Sequence, residues 1–306
     1  MSSYKKIFTL EDIDSITMLE YGYFRDDLEY TIKVMQNIGL LLSFHKCECG
    51  SNMYMMARKD VKDGYQYRCN MCSKRCSIRK GTIFEMSKLP LWKIFIGIVA
   101  IIQHPNMTYE TLRQHLNISS NSTILELKSI VRDFMTLKLD EEPTKIGGEG
   151  KIVQIDETAI SKRKYDVGRI LKNQQYWMVG GIDEDGDCFL KITKFRNRDV
   201  LENIITANVE AGSTIWTDGW RGYNTLKDLG FVHGVVIHKR RFVSPEGIHT
   251  NRIESTWGAF KRKYRNATNK NPENLDGYIS DFLFRRKYLK KELSTLFKYI
   301  MVLLLN

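Results

Sequence analysis

The spacing of apolar residues divides this chain into an N-terminal part with helical periodicity and a C-terminal part with strand periodicity. Apolar residues recur every three or four positions in residues 28–42 and again in residues 89–139, which predicts helices. From residue 151 onward they fall in short stretches rich in β-branched side chains, as in KIVQIDETAI at 151–160, which predicts strands. The pattern therefore predicts helices first and a mixed α/β region after them.

The order of elements in the C-terminal part predicts its fold. Three strands come first, at residues 151–160, 174–182 and 188–195. A helix, a strand that ends at Asp218, a short helix, a fifth strand and a closing helix follow. Three antiparallel strands followed by alternating helices and strands are typical of a ribonuclease-H-like domain. We therefore predict an α/β domain, a mixed five-stranded sheet with flanking helices, over residues 151–306.

The closing helix combines an apolar face with a carboxylate and several basic side chains. Ile253, Trp257 and Phe260 are spaced to face a core, because three or four positions make one helical turn. Glu254 and Lys261 are seven positions apart, so they project on one side of the helix. A carboxylate beside a lysine can hold a cation and the phosphate on which it acts, although an ordinary surface helix carries the same pattern.

Three acidic residues of this domain are expected to converge. Asp156 would end the first strand and Asp218 the fourth, and these strands are neighbours in a ribonuclease-H-like sheet, with the helix of Glu254 beside them. Three convergent carboxylates can hold two Mg²⁺ ions about 3.5 to 4 Å apart, and Mn²⁺ can replace them. Magnesium prefers such hard oxygen ligands. A single aspartate at a strand end is more often a capping or turn residue, so the prediction depends on the set.

The cysteines are concentrated in one short region. Five of the six lie between Cys47 and Cys76, in the closely spaced groups CECG and CNMC and just after them. These groups predict a zinc ribbon over residues 45–88, with a structural Zn²⁺ held by four thiolates. The predicted ligands are Cys47, Cys49, Cys69 and Cys72. The first pair is closer than usual, so His45 or Cys76 is an alternative to Cys47, and buried free cysteines are the other interpretation.

Residues 89–139 are predicted to form three helices that carry a helix-turn-helix. LWKIFIGIVAIIQ is one apolar helix, TYETLRQHLN a short second one, and a third follows that Ser119 or Ser122 would cap. A short helix, a turn and a capped helix are typical of modules whose last helix enters the DNA major groove, and a plain three-helix bundle is the alternative. The polar, glycine-rich segment at 140–150 predicts a linker, and residues 1–44 form a separate helical segment.

The composition favours a nucleic-acid partner over a membrane. The chain has 306 residues, with 47 Lys and Arg against 36 Asp and Glu, and a basic balance favours a polyanionic partner. The longest apolar run, 94–102, is far shorter than the roughly 20 residues that span a bilayer, and no apolar leader opens the chain. We therefore expect no membrane association and double-stranded DNA as the partner.

Basic segments around the predicted metal site are the expected DNA contacts. The residues predicted to contact the DNA backbone are Lys162, Arg163, Lys164, Lys239, Arg240, Arg241, Arg262 and Lys263, with a further basic run at 285–291. Any one such run can be a solvated surface, but together they predict binding that weakens steeply with salt. Trp220, in the loop after Asp218, can stack on an unpaired base, whereas Trp216 and Trp257 are expected in the core.

Several blocks of this sequence match the pattern of a known protein family. They are the cysteine ribbon, SIRKGTIFEMSKLPLWKIF, the predicted helix-turn-helix, VQIDET, WTDGWRGY and HTNRIESTWGAFKRK. In these blocks the chain resembles the DDE transposases of eukaryotic Merlin elements and their bacterial insertion-sequence relatives. The resemblance implies cut-and-paste transposition by two-metal phosphoryl transfer, with Asp156, Asp218 and Glu254 as metal ligands and Lys261 at a phosphate near the scissile bond. Some relatives carry another residue at the third position, and Asn251 is then the alternative ligand.

The resulting hypothesis is a DNA transposase that binds the terminal inverted repeats of its element and a target DNA. Two element ends must be held together, so a homodimer or higher homo-oligomer is expected. The alternatives are a domesticated transposase that acts as a sequence-specific DNA-binding regulator without catalysis, and a structure-selective nuclease or ribonuclease H. A eukaryotic source would place the protein in the nucleus, and a bacterial source in the cytoplasm.

Overall fold

The computed structural model describes residues 11–141, 144–160, 176–236, 247–265 and 275–288, together with Thr9. The chain divides into two units, Met1–Lys138 with Tyr288–Asn306, and Leu139–Lys287. Among the described residues, no helix is both long enough and apolar enough to cross a membrane.

In its described residues, the first unit contains helices and one small antiparallel sheet. The helices are α1 (Tyr21–Asp26), α2 (Leu28–Asn37), α3 (Leu91–Gln103), α4 (Tyr109–Leu116) and α5 (Asn121–Glu141), after short 3₁₀ turns at Glu11–Ser15 and Met18–Glu20. The strands are β1 (His45–Lys46), β2 (Asn52–Ala57), β3 (Tyr65–Cys69) and β4 (Arg75–Ser77). They pair in the order β1-β2-β3-β4, each antiparallel to the next.

Helices α3, α4 and α5 cover the three segments whose periodicity predicts helices. Thr108 caps α4, because its hydroxyl accepts a hydrogen bond from a backbone N–H in the first turn at 3.0 Å. α4 ends at Asn117, whose left-handed conformation with a φ of 47° turns the chain. α5 begins at Asn121, so Ser122 lies inside the helix and is not its cap.

The second unit contains a mixed five-stranded sheet with helices on both sides. The helices are α6 (Arg198–Asn208), α7 (Asn251–Arg265) and α8 (Leu275–Lys287), with 3₁₀ turns at Arg221–Tyr223 and Leu226–Leu229. The strands are β5 (Ile146–Gly147), β6 (Ile152–Ala159), β7 (Trp177–Asp183), β8 (Cys188–Thr193), β9 (Val209–Glu210), β10 (Thr214–Asp218) and β11 (Val232–Val236). The sheet order is β11-β10-β6-β7-β8, with β10 parallel to both neighbours and β6, β7 and β8 antiparallel. This mixed α/β arrangement is compatible with a ribonuclease-H-like domain.

Part of the segment predicted as a linker, residues 140–150, has regular structure. α5 continues to Glu141, and β5 pairs in parallel with β9. Ile146 of β5 is 5% exposed and packs in an apolar cluster with residues of α6. One buried isoleucine among charged residues and glycines produces no periodic signal, which is why the sequence pattern conceals this strand.

Successive side chains of β6 face opposite sides of the sheet. Val153 and Ile155 belong to an apolar cluster with residues of α6. On the other side, α7 and α8 pack against β7 and β8 through Met178, Ile182, Leu190, Ile253, Trp257, Phe260, Leu275 and Ile279. This second cluster confirms the predicted buried face of the closing helix. By the same alternation, Asp156 lies on the α7 side of the sheet and Glu157 on the α6 side.

A buried carboxylate, Asp281, joins α7 to α8. It is 8% exposed, contacts the ammonium group of Lys263, and accepts a hydrogen bond from Arg285 Nε at 2.6 Å. Burial favours the neutral acid, but the charges and hydrogen bonds of Arg285 and Lys263 outweigh it and lower the pKa of Asp281. The ionised carboxylate therefore holds cations from both helices.

We expect Asp281→Asn to lower the free energy of unfolding by about 3 kcal/mol at neutral pH, because it leaves two partly buried cations without their carboxylate. Since the folded-state pKa is lowered, this stabilisation is complete above the pKa of the unfolded carboxyl and is lost as the pH falls through the folded-state value. Urea unfolding at neutral and acidic pH measures both effects. Asp276→Asn, at an exposed position of α8, is the matched control, and an unchanged unfolding free energy in Asp281→Asn would contradict this role.

Candidate active site and cysteine cluster

Asp156 and Asp218 lie on two adjacent central strands of the sheet. Asp218 ends β10 as predicted, but β6 continues to Ala159, so Asp156 lies within its strand and the prediction that it ends the strand is wrong. Strands β6 and β10 are parallel, with Trp216 opposite Gln154. Continuing that register by two residues brings Asp218 level with Asp156, because paired strands advance by nearly the same rise per residue. The charge of Asp218 also contributes to raising the pKa of Asp156. The structure thus brings two of the three predicted acidic residues together.

The indole of Trp257 holds Asp156 in place. Trp257 Nε1 donates a hydrogen bond to Asp156 Oδ2 at 3.0 Å. Gly180 lies opposite Asp156 on β7 and leaves room for this contact, since a Cβ atom at Gly180 would lie 2.5 Å from the Trp257 ring. Glycine is therefore required at position 180, where the Trp257 ring packs against the sheet.

The electrostatic environment of Asp156 favours a bound cation. Burial, followed by the charge of Glu157 and a smaller effect of Asp218, raises the pKa of Asp156 to about 7. Burial likewise raises the pKa of Glu157. Carboxylates that share little solvent repel one another, so a cation among them would stabilise their ionised form. Their hard oxygen atoms suit Mg²⁺, which also keeps part of its water shell.

Helix α7, which carries Glu254, packs beside β6. The backbone N–H of Arg252 donates a hydrogen bond to Gln154 Oε1 at 2.9 Å. Two residues further along β6, Asp156 accepts the hydrogen bond from Trp257 Nε1. Glu254 lies between these two contacts in the helix. Its side chain is exposed, and its carboxylate accepts a hydrogen bond from Thr250 Oγ1 at 3.0 Å.

Lys261 lies one turn beyond Trp257 on the same side of α7. Its ammonium group donates a hydrogen bond to Thr158 Oγ1. Thr158 follows Asp156 by two positions on β6, so both side chains are on one face of the strand. This arrangement places a cation on the side of the sheet that carries Asp156.

The three predicted metal ligands do not form one compact group. In the described part of the chain, the clustered cysteines are the one set of three or more His, Cys, Asp or Glu residues whose ligand atoms lie within 4.8 Å of one another. One ion held by Asp156, Asp218 and Glu254 together would need such spacing, because Mg–O distances are about 2.1 Å. Two ions about 3.5 to 4 Å apart let the outer carboxylates lie farther from each other. The arrangement therefore does not match a single ion held by all three carboxylates.

Asn251, the alternative third ligand, faces another part of the domain. It lines a surface cleft with Ile182 and Glu184, near the end of β7 that pairs with the start of β6. Asp156 pairs instead with the middle of β7. Asn251 thus lies near the start of β6.

Comparison with known proteins finds two similarities. Residues 146–287 match the family described as the ISXO2-like transposase domain. The match supports a transposase family. An uncharacterized protein in transposable element ISH50 of Halobacterium salinarum is 21% identical to this chain over 237 residues, which cover 74% of this chain and 80% of that protein. Neither comparison distinguishes the Merlin type, so that finer resemblance stays a hypothesis.

Three residues to which the sequence patterns assign no role lie beside the acidic pair of the second unit. The side chain of Glu157 is 4% exposed, accepts a hydrogen bond from the Tyr223 hydroxyl, and lies 3.3 Å from Arg196 Nη1. Burial and the nearby charge of Glu157 raise the pKa of Tyr223 well above its ordinary value. Glu157 and Tyr223 belong to the blocks VQIDET and WTDGWRGY, but their separation of 66 positions conceals that they are partners.

Trp220, predicted to contact DNA, lies on the surface of the second unit. It is 37% exposed, and its ring centre lies 4.3 Å from the guanidinium carbon of Arg196. Its backbone N–H donates a hydrogen bond to Asp218 Oδ1 at 3.0 Å. Trp257 is 5% exposed, as expected for a core residue, and Trp216 is partly buried.

The basic residues predicted to contact DNA have different environments. Lys162, Arg163, Lys164, Lys239, Arg240 and Arg241 lie outside the described residues. Arg262 is exposed on α7. Lys263 is partly buried on the same helix, and its ammonium group contacts the buried carboxylate of Asp281.

In the basic run at 285–291, the described side chains contact other residues of the same domain. Arg285 contacts the same buried carboxylate of α8. Arg286 Nε donates to a backbone oxygen of the β7–β8 turn at 2.8 Å, and Lys287 Nζ donates to Thr144 Oγ1 at 2.8 Å. These side chains have structural partners that a charge pattern does not reveal.

The four predicted zinc ligands lie together in the first unit. The sulfur atoms of Cys47, Cys49, Cys69 and Cys72 are within 4.8 Å of one another. The distance is 3.3 Å between Cys47 and Cys72, and 3.5 Å between Cys49 and Cys69. A tetrahedral Zn²⁺ ion with Zn–S distances of about 2.3 Å places its sulfurs about 3.8 Å apart, so this group could hold such an ion.

The alternative zinc ligands His45 and Cys76 have other neighbours. The ring of His45 stacks on that of Tyr67, and the sulfur of Cys76 lies 3.8 Å from a methionine sulfur. The close first cysteine pair is accommodated by a tight turn. Gly50 adopts a left-handed φ of 85°, and its N–H donates to the carbonyl of Cys47 at 2.9 Å, a conformation that glycine adopts without steric cost.

Proposed function

We propose that this protein is a DNA transposase that cleaves the ends of its element and joins them to target DNA by two-metal phosphoryl transfer. The observation that carries the proposal is the position of Asp156 and Asp218 on adjacent parallel strands, with Glu254 on the helix that packs beside β6. The match of residues 146–287 to a transposase domain supports the reaction class.

The acidic residues and their neighbours have distinct roles in this proposal. Asp156, Asp218 and Glu254 would hold two Mg²⁺ ions, or Mn²⁺ in their place. Bound there, the ions would activate a water or a 3′-hydroxyl and stabilise the leaving 3′-oxygen. Trp257 orients Asp156 by donating a hydrogen bond to one carboxylate oxygen. Lys261, on the same side of the sheet, would contact a DNA phosphate as a point charge.

DNA binding would involve both units. In the first unit, the clustered cysteines would hold a structural Zn²⁺, and α4 and α5 would form a helix-turn-helix that binds the terminal inverted repeats. The left-handed turn at Asn117 and the exposed residues Asn121 and Ser122 at the start of α5 support the second role. In the second unit, the exposed residues Arg262 and Trp220 are the proposed contacts. Because two element ends must be joined, we propose a homodimer or a larger assembly.

A domesticated transposase that regulates DNA without catalysis is the second candidate. The observation that favours it is that Asp156, Asp218 and Glu254 form no compact metal-binding group in the described residues. Such a protein would bind terminal repeats but would hold no divalent ion at Asp156 and Asp218.

Strand cleavage and joining on labelled DNA separates these functions. DNA that carries the repeats flanking the coding sequence is incubated with the protein and Mg²⁺ or Mn²⁺, beside DNA with scrambled ends and an RNA–DNA hybrid. We expect cleavage and joining of the repeat ends alone. Binding of the repeats without cleavage would identify the regulator, and cleavage of the hybrid alone would identify a ribonuclease H.

A further inference from the structure

A chain of contacts connects the two aspartate-bearing strands of the transposase domain. It consists of Tyr223, Glu157 and Arg196, which we call the Glu157 bridge. Glu157 follows Asp156 directly on β6, and Tyr223 lies five residues after Asp218. The bridge therefore connects β6, which carries Asp156, to the loop that follows Asp218.

The carboxylate of Glu157 is the centre of this bridge. It accepts a hydrogen bond from the Tyr223 hydroxyl and lies 3.3 Å from Arg196 Nη1. Tyr223 is 0% exposed and the Glu157 side chain is 4% exposed. Buried donors and acceptors are costly to separate, because water cannot replace the lost partner. The bridge thus holds the end of β6 against the 3₁₀ turn at Arg221–Tyr223.

The other end of the bridge acts on Trp220. The guanidinium carbon of Arg196 lies 4.1 Å from the ring centre of Trp177 and 4.3 Å from that of Trp220. Gly222 lets the Trp220 indole fold back on its own loop, because a Cβ atom there would lie 2.8 Å from the indole nitrogen. The backbone N–H of Trp220 donates to Asp218 Oδ1 at 3.0 Å. Restraining Trp220 therefore restrains the orientation of this carboxylate.

We propose that Tyr223, Glu157 and Arg196 are positioning residues that hold Asp218 at the distance from Asp156 at which both can bind divalent ions. The inference rests on the proposed function. Two glycines lie between Asp218 and Tyr223, and glycine allows many backbone conformations. Without the bridge, the loop would sample conformations in which the two carboxylates no longer face the same ions.

Tyr223→Phe tests the bridge with little disturbance, since it removes one hydroxyl and keeps the charge of Glu157. We expect the affinity for Mn²⁺, measured by electron paramagnetic resonance titration of the full chain without DNA, to fall about tenfold, the lower end of the range for groups that orient metal ligands. Glu157→Gln and Arg196→Lys should lower it in the same direction. Thr225→Val is the matched control, because it removes another hydrogen bond of this loop, to Glu202, without touching the acidic pair.

Each outcome of this titration has a definite meaning. Asp218→Ala defines the Mn²⁺ binding that belongs to the acidic pair, and thermal unfolding shows which variants are folded. Unchanged affinity in Tyr223→Phe would overturn the inference, and so would an equal fall in Thr225→Val, because general loosening of the loop would then be the cause. If Tyr223→Phe failed to fold, Arg196→Lys, at a side chain that is 36% exposed, would replace it.

Failure of the proposed function looks different in the same experiment. In that case the unaltered protein would show no Mn²⁺ binding that Asp218→Ala removes, and the inference would fall with the proposed function. Normal, Asp218-dependent binding in both the unaltered protein and Tyr223→Phe would overturn the inference alone.

Discussion

DNA strand cleavage is expected to fall about a thousandfold or more when Asp156, Asp218 or Glu254 is replaced by alanine. Each change removes a proposed metal ligand, and bound metal ions contribute several kcal/mol to stabilising the charge that develops in the transition state. Binding to the terminal repeats should stay largely intact, because the first unit carries most of the proposed DNA recognition. Gel assays of cleavage and of mobility shift measure the two properties separately.

The controls for this prediction are polar side chains outside the proposed set of metal ligands. Asp187→Asn changes an exposed carboxylate in the β7–β8 turn and should leave cleavage unchanged. Loss in Glu254→Ala but not in Asn251→Ala would identify Glu254 as the third ligand, and the reverse would assign that role to Asn251. Full cleavage by Asp156→Ala would contradict the proposed site.

Cys69→Ser is expected to abolish zinc binding and to unfold the β1–β4 sheet. Cys69 is 1% exposed and lies within the sulfur cluster. The binding free energy of a structural zinc in small domains is about 10 to 16 kcal/mol, which exceeds what the few buried side chains of so small a sheet can contribute. Elemental analysis measures the bound zinc, and far-ultraviolet circular dichroism measures the loss of strand structure. A chelator should reproduce the effect in the unaltered protein.

Cys76→Ser provides the matched control for the zinc prediction. Cys76 lies on β4, and its sulfur contacts Met53 rather than the cluster, so this variant should keep its zinc and its sheet. A Cys69→Ser protein with a full complement of zinc would show that these cysteines do not form the metal site. Loss of zinc in Cys76→Ser would instead return Cys76 to the ligand set.

The two strands that carry the acidic pair follow from local sequence. The β-branched residues around Asp156 and Asp218 predict strands there, and β6 and β10 are found there, although β6 continues past Asp156 to Ala159. Strand periodicity is a property of a few consecutive residues, so it can be recognised without knowledge of the partners. The spacing of the cysteines is a similarly local signal, and the four sulfurs do lie together.

The partners of charged side chains could not be predicted in the same way. Lys263 belongs to a basic helix that looks solvated from its sequence, yet it contacts Asp281 of another helix. Ile146 lies in a polar segment, yet it forms a buried strand. A charge or an isolated apolar residue has the same local pattern whether it is exposed or covered, because the covering element comes from a distant part of the chain.

The sequence by itself determined most of the helices and strands and the set of side chains able to hold metal ions, because these depend on periodicity and chemical type. The tertiary structure decided which of them meet. It placed the strand of Asp218 beside that of Asp156 through the parallel pairing of β10 with β6, and it joined Glu157 to Tyr223 across 66 positions. Those contacts depend on how distant elements pack against one sheet, and packing is settled by the burial of the whole domain rather than by any short segment.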